Sequence, residues 1–192
     1  MKRLLICAGM VIAGAAVLSA QNPPASPPET ASATIGGKNI TISYNSPRVK
    51  GREGHIFTKD GLISHNPHYP IWRAGADVST RINTEVPLVI DGKTLPAGEY
   101  SLFIDLKENH WTFVVSNWAA LPKYDPKNKE GLWGSYFYTP DKDVLRVPMK
   151  LENERHSVEE LTWEFLDMTP TGGLIALSWD KTLATIAFRA AP

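Results

Sequence analysis

Three cations fall at alternating positions, Arg48, Lys50 and Arg52, in the run Ser46-Pro47-Arg48-Val49-Lys50-Gly51-Arg52. On an extended chain that spacing puts all three side chains on one side. Further on, Trp72-Arg73 sets an aromatic face beside a fourth cation, and Asp77 follows the small residues Ala74, Gly75 and Ala76. A guanidinium offers a planar fork of donors to carboxylate or phosphate, and an indole stacks on a sugar or a cation. Arg48, Lys50, Arg52, Trp72, Arg73 and Asp77 are therefore the candidate binding residues, for an anionic or carbohydrate ligand. The competing reading is structural: the same cations pair with acids such as Glu53, Asp77 or Glu99 and only fix loops.

A second constellation is His65-Asn66-Pro67-His68, with His55 and with Asp60 or Asp77 as acids. His and carboxylate side chains in a loop can hold zinc. Pro67 opposes a helix between the two histidines, and no His-Glu-x-x-His pattern occurs. His65 and His68 are the candidate metal ligands, with solvated loop histidines as the alternative. There is no Gly-x-Ser-x-Gly elbow for a serine nucleophile. There is no Gly-rich phosphate loop and no nucleic-acid motif, and no pattern calls for a cofactor. Trp118, Tyr124, Trp133, Tyr136 and Tyr138 could form a flat platform for sugar rings, or pack a long loop over the fold. The expectation is a non-catalytic binding module. The alternatives are a metal-dependent or hydrolase-like enzyme using the loop histidines, and a structural or interaction module.

The elements that must position these residues read as strands. Tyr100, Leu102, Ile104 and Leu106 alternate with Ser101, Phe103 and Asp105. Trp111, Phe113 and Val115 alternate with Thr112 and Val114, across a polar turn at Lys107–His110. Period-two alternation bounded by Gly, Pro and Asp marks an antiparallel hairpin. Similar runs appear at Lys38–Asn45 (with a short partner at Ala33–Ile35), Thr80–Glu85, Asp143–Leu151, Leu161–Phe165, Ile175–Trp179 and Ala184–Phe188. Pro148 argues for an edge strand or a bulge. Asp180-Lys181 reads as a tight turn, and the charged run Glu152–Glu160 has room for a turn of helix. The sum is an all-β chain of roughly nine or ten strands, an antiparallel β-sandwich with the jelly roll as one form of it. The Gly54–Pro70 and Asn117–Ser135 segments are long loops, a length more often functional than structural.

The order of Tyr44-Asn45-Ser46-Pro47-Arg48-Val49-Lys50-Gly51-Arg52, Trp72-Arg73-Ala74-Gly75-Ala76, Leu95-Pro96-Ala97-Gly98-Glu99-Tyr100, Trp133-Gly134-Ser135-Tyr136 and Asp143-Val144-Leu145-Arg146-Val147 resembles the bacterial "domain of unknown function 2911" family over roughly Ala33 to Phe188. The resemblance implies a shared fold, export and a shared patch, and no activity. Asp77 stands where the family often has Asn, and the Asn117–Gly131 insert is longer than usual.

The N-terminus reads as an address. Lys2 and Arg3 precede the uncharged run Leu4–Leu18, and Ser19-Ala20 closes it. That is the plan of a secretory signal peptide over residues 1–20, too short for the ~18–20 apolar residues of a spanning helix. An uncleaved anchor is the alternative. Four prolines among Ala, Ser and Thr make residues 21–32 an extended tether, with the domain over 33–192. The expected location is periplasmic or extracellular, with no membrane span in the mature chain. The 20 basic and 20 acidic residues balance. Loss of Lys2 and Arg3 leaves 18 against 20, a net of −2 without attraction to nucleic acid. Cys7, the single cysteine, leaves with the signal, so no disulfide supports the fold.

Overall fold

The computed structural model describes residues 24–107 and 110–192. The signal segment and residues 21–23 of the proposed tether lie outside that range. In chain order the strands are β1 (Pro28–Ile35), β2 (Lys38–Asn45), β3 (Ile71–Trp72), β4 (Thr80–Thr84), β5 (Leu88–Ile90), β6 (Lys93–Leu95) and β7 (Gly98–Lys107). Then follow β8 (His110–Ser116), β9 (Ala119–Ala120), β10 (Gly131–Leu132), β11 (Asp143–Pro148), β12 (Lys150–Thr169) and β13 (Gly172–Ala190). One sheet runs β1-β2-β4-β7-β8-β11, with β3 also paired to β7, and the other runs β12-β13-β5-β6. Every pairing within these two sheets is antiparallel. Among the described residues there are 13 strands, eleven in the two sheets of an antiparallel β-sandwich and two, β9 and β10, in a separate parallel pair. The count exceeds nine or ten because β3, β9 and β10 are two-residue strands, too short to show periodicity.

Alternation explains the packing. Ile40, Ile42, Ile82, Leu102, Ile104, Phe113 and Val115 point inward from the first sheet. Leu161, Trp163, Ile175, Leu177, Trp179 and Ile186 meet them from the second. Each large side chain so buried contributes about 1.5–3 kcal/mol relative to exposure. The β7–β8 hairpin lies at the centre, in the register Leu102↔Val115 and Ile104↔Phe113. Pro148 ends β11, which is an edge strand with a register shift between Asp143 and Leu145.

Three local expectations are corrected. Strand β1 begins at Pro28 and pairs with β2 from Pro28↔Asn45 onward, so residues 28–32 belong to the sheet and not to a tether. Glu152–Glu160 is strand, part of the exposed edge β12, because an edge strand can carry charge on both faces. Asp180-Lys181 is not a turn: β13 runs through it, with Asp180 at φ 51 where the register against β12 shifts. The Asp180 carboxylate accepts the Gly54 N–H and the Ser157 hydroxyl and so pins the start of the long loop.

The outer face of the hairpin is also covered. Phe103, Val114, Trp118 and Leu132 form a second small core there, with Ile71 and Tyr138 against it. The segment after β8 makes this cover, held by the parallel pair β9–β10 and by the Trp118 indole donating to Thr139 O at 3.0 Å.

Candidate functional site

The cationic run after β2 does not form one face. Val49 N–H donates to Glu159 O at 2.8 Å and Leu161 N–H to Pro47 O at 3.0 Å. These bonds and the Arg48↔Glu160 bridge close the seam between the sheets. Arg48 is fully engaged: Nη2 lies 3.0 Å from the Glu160 carboxylate, and Nη1 donates to Ser46 O and Oγ. Lys50 sits at φ 49, so the chain turns there and ends the extended geometry on which a common face depended. The Arg52 guanidinium turns back to donate to Arg48 O at 2.7 Å. Arg48 and Arg52 are thus a clasp, with a different acid from those the sequence suggested: Glu53 pairs with Lys181 and Glu99 with Arg81.

Trp72 is also not a surface platform. Its pairing with Ile104 on β7 directs it inward, where it is 1% exposed and stacks on Trp179 at 5.9 Å. Arg73, next along the chain, lines a cleft of about 390 Å³, to whose wall Trp72 and Trp179 also contribute. Left-handed backbone at Ala74 (φ 52) and Asp77 (φ 56) coils the loop behind it. The Trp163 indole and Thr80 hydroxyl both donate to Ala74 O and fix that coil. Arg73 Nη1 donates to Asp77 O at 2.6 Å. Asp77 therefore holds Arg73 through its carbonyl, which Asn would do equally, while its own carboxylate is exposed.

The aromatic partner of Arg73 is Trp133, whose ring centroid lies 5.4 Å from the guanidinium carbon. Tyr124 packs edge to face on Trp133 and Tyr136 at 5.9 and 5.4 Å, Trp133 and Tyr136 are tilted at 5.7 Å, and His68 adds its ring to Tyr136 at 4.5 Å. Gly134, at φ 65, makes this approach possible: a Cβ there would stand 2.7 Å from Arg73 Nη1. The Ser79 hydroxyl holds the turn through Leu132 O and Gly134 O. Among the aromatics read as one platform, Tyr124, Trp133 and Tyr136 gather at the cleft, and Trp118 and Tyr138 belong to the outer core. Sequence reasoning separated Arg73 from Trp133, and the missed signal was the glycine between two aromatics in Trp133-Gly134-Ser135-Tyr136.

Electrostatics sharpen the picture. Arg73 is half-buried and makes no ion pair among the described residues. Burial pulls its pKa down, against the pull of Tyr136 and Asp77. A guanidinium stays protonated regardless, so the cleft holds a partly desolvated cation. Burial, then the Arg73 charge, lowers the pKa of His68. His65 places Nδ1 2.7 Å from Gly61 O. Among the described residues no group of three or more His, Cys, Asp or Glu side chains gathers to hold a metal, so His65 and His68 lack the third ligand that a zinc site needs.

Another polar cluster sits on the outer face. Arg146 bridges the buried carboxylates of Asp105 and Asp143, and the Tyr138 hydroxyl donates to Asp143. Burial, and then the bond to Asp143, push the Tyr138 pKa well up. This cluster anchors the cover segment to β7 and β11.

Residues 26–188 match the family described as "Protein of unknown function (DUF2911)". No curated protein and no solved structure matches the chain.

Proposed function

The chain belongs to the DUF2911 family, and from that premise we propose that the domain is a non-catalytic binding module of the cell envelope that takes an anionic or carbohydrate ligand in the Arg73 cleft. One observation carries the reading: a half-buried guanidinium without an acid partner among the described residues, held by a backbone carbonyl and laid beside Trp133. A cation desolvated at the protein's expense favours any anion that enters. Trp133 and Tyr136 line the cleft, and aromatic rings suit a sugar, whose apolar face stacks on them. An acidic sugar satisfies both features at once. Export rests on the N-terminal sequence pattern, and among the described residues no helix is long and apolar enough to cross a membrane.

The test is calorimetric titration with glucuronate, glucose and inorganic phosphate. Glucuronate is expected to bind best. Arg73→Ala should weaken it roughly ten- to a hundredfold, the worth of hydrogen bonds to a charged group. Arg73→Lys should not restore it, since an ammonium lacks the planar fork. If none of the three ligands binds, or if Arg73→Ala only lowers the melting temperature, Arg73 is a loop fastener and the proposal is wrong.

A further inference from the structure

A larger cavity, of about 680 Å³, opens elsewhere, where the end of the β7–β8 hairpin faces β12 and β13 under the 57–69 loop. Phe57, Ile63, Leu106, Trp111 and Leu151 wall it. Phe57 is fixed by edge contacts to Trp111 at 4.7 Å, Trp72 at 5.5 Å and Trp179 at 5.7 Å, so the inner wall is rigid and aromatic. Tyr69 closes one side, its hydroxyl donating to Leu106 O at 3.1 Å. At the rim Leu151 and Tyr69 remain 36% and 46% exposed, an apolar surface left open on both sides of the mouth.

The rim charges are unequal. Glu152 is neutralised by Lys150 at 2.9 Å. Lys59 is exposed and has no acid partner among the described residues. Thr58, Asn153 and Thr182 add polar groups beside it. Ser64 and a second cation, Lys107, also line the cavity, so an apolar wall meets an almost equal share of polar surface, and a concave chamber of this size that combines the two has the form of a small-molecule site. We infer that this cavity is a second binding site, separate from the Arg73 cleft, for a free single-chain amphiphile with an anionic head. The chain lies along Phe57, Ile63, Leu106 and Trp111, and the head group meets Lys59.

The probe is sodium decanoate below its micelle-forming concentration, titrated calorimetrically into the full chain, with decanol as the neutral comparison. Saturable decanoate binding is expected, tighter than that of decanol. Leu151→Asp, at an exposed position, should weaken it roughly tenfold or more by placing a carboxylate at the apolar mouth. Lys59→Glu should weaken it roughly two- to fivefold, an effect that fades in high salt. Arg73→Ala should leave it unchanged, which separates this site from the cleft. Absence of saturable binding, equal affinity for decanol, or binding indifferent to both Leu151→Asp and Lys59→Glu would each overturn the inference.

Discussion

Replacing Arg146 with Leu should destabilise the domain by about 3 kcal/mol, and the reason lies in two carboxylates. The side chains of Asp105 and Asp143 are 4% and 5% exposed, and each uses one oxygen on Arg146. Their other oxygens, Oδ1 in both, are buried without a hydrogen-bond partner. Arg146 is thus the main compensation for two desolvated charges. Lys107 reaches Asp105 only at 3.6 Å and is itself well exposed. Removing one partner of a buried pair typically costs about 3–5 kcal/mol. Arg146 is 34% exposed, so water can enter from its side, which favours the lower end of that range. With a urea m-value of about 2 kcal/mol/M, the unfolding midpoint should fall by roughly 1.5 M. A urea titration of wild type and Arg146→Leu measures it. Adding Asp105→Asn and Asp143→Asn to Arg146→Leu should recover much of the loss, because neutral amides do not need the cation. A loss below about 1 kcal/mol, or a triple variant no more stable than the single one, would refute this account of the cluster.

Two other outcomes follow from the cleft. Gly134→Ala should depress glucuronate binding about as far as Arg73→Ala does, since the new Cβ would stand 2.7 Å from Arg73 Nη1 and the residue is held at φ 65; unchanged affinity by calorimetry would mean that Arg73 need not lie against this turn. His68 gives a pH signature: its pKa is lowered from the ordinary 6.5 by burial and then by Arg73, so the folded state resists the proton that the unfolded state accepts. Its contribution to stability is therefore present above about pH 6.5 and lost as pH falls through the lowered folded value, and His68→Asn should flatten the fall in melting temperature between about pH 7 and 5.

Much of the sandwich is legible because period-two alternation records which face of a strand meets the core. What escaped is what that signal does not carry. β3 is two residues long, so the inward turn of Trp72 depends on its pairing with Ile104, a contact thirty-two positions away. The clasp at Arg48 likewise depends on Glu160, far along the chain. Local spacing predicted a cationic face there, and a non-local bridge consumed it. The edge strand β12 misled in the opposite direction, since charge on both faces removes the alternation that identifies a strand.

The cleft itself was half legible, and the way its parts assemble argues for a site over a fastening. Arg73 was identified together with an aromatic neighbour, yet the neighbour adjacent in sequence is the wrong one. Three stretches that carry the family resemblance come together only in space: Pro47 from the first, Arg73, Gly75 and Ala76 from the second, and Trp133 and Tyr136 from the fourth. Arg48 is neutralised by Glu160 and Arg146 by Asp105 and Asp143, whereas Arg52 is fastened by the Arg48 carbonyl without an acid. Arg81 is likewise paired with Glu99. Arg73 is given a carbonyl, the Trp133 ring and an open cleft, and on the proposed reading its last partner comes from outside.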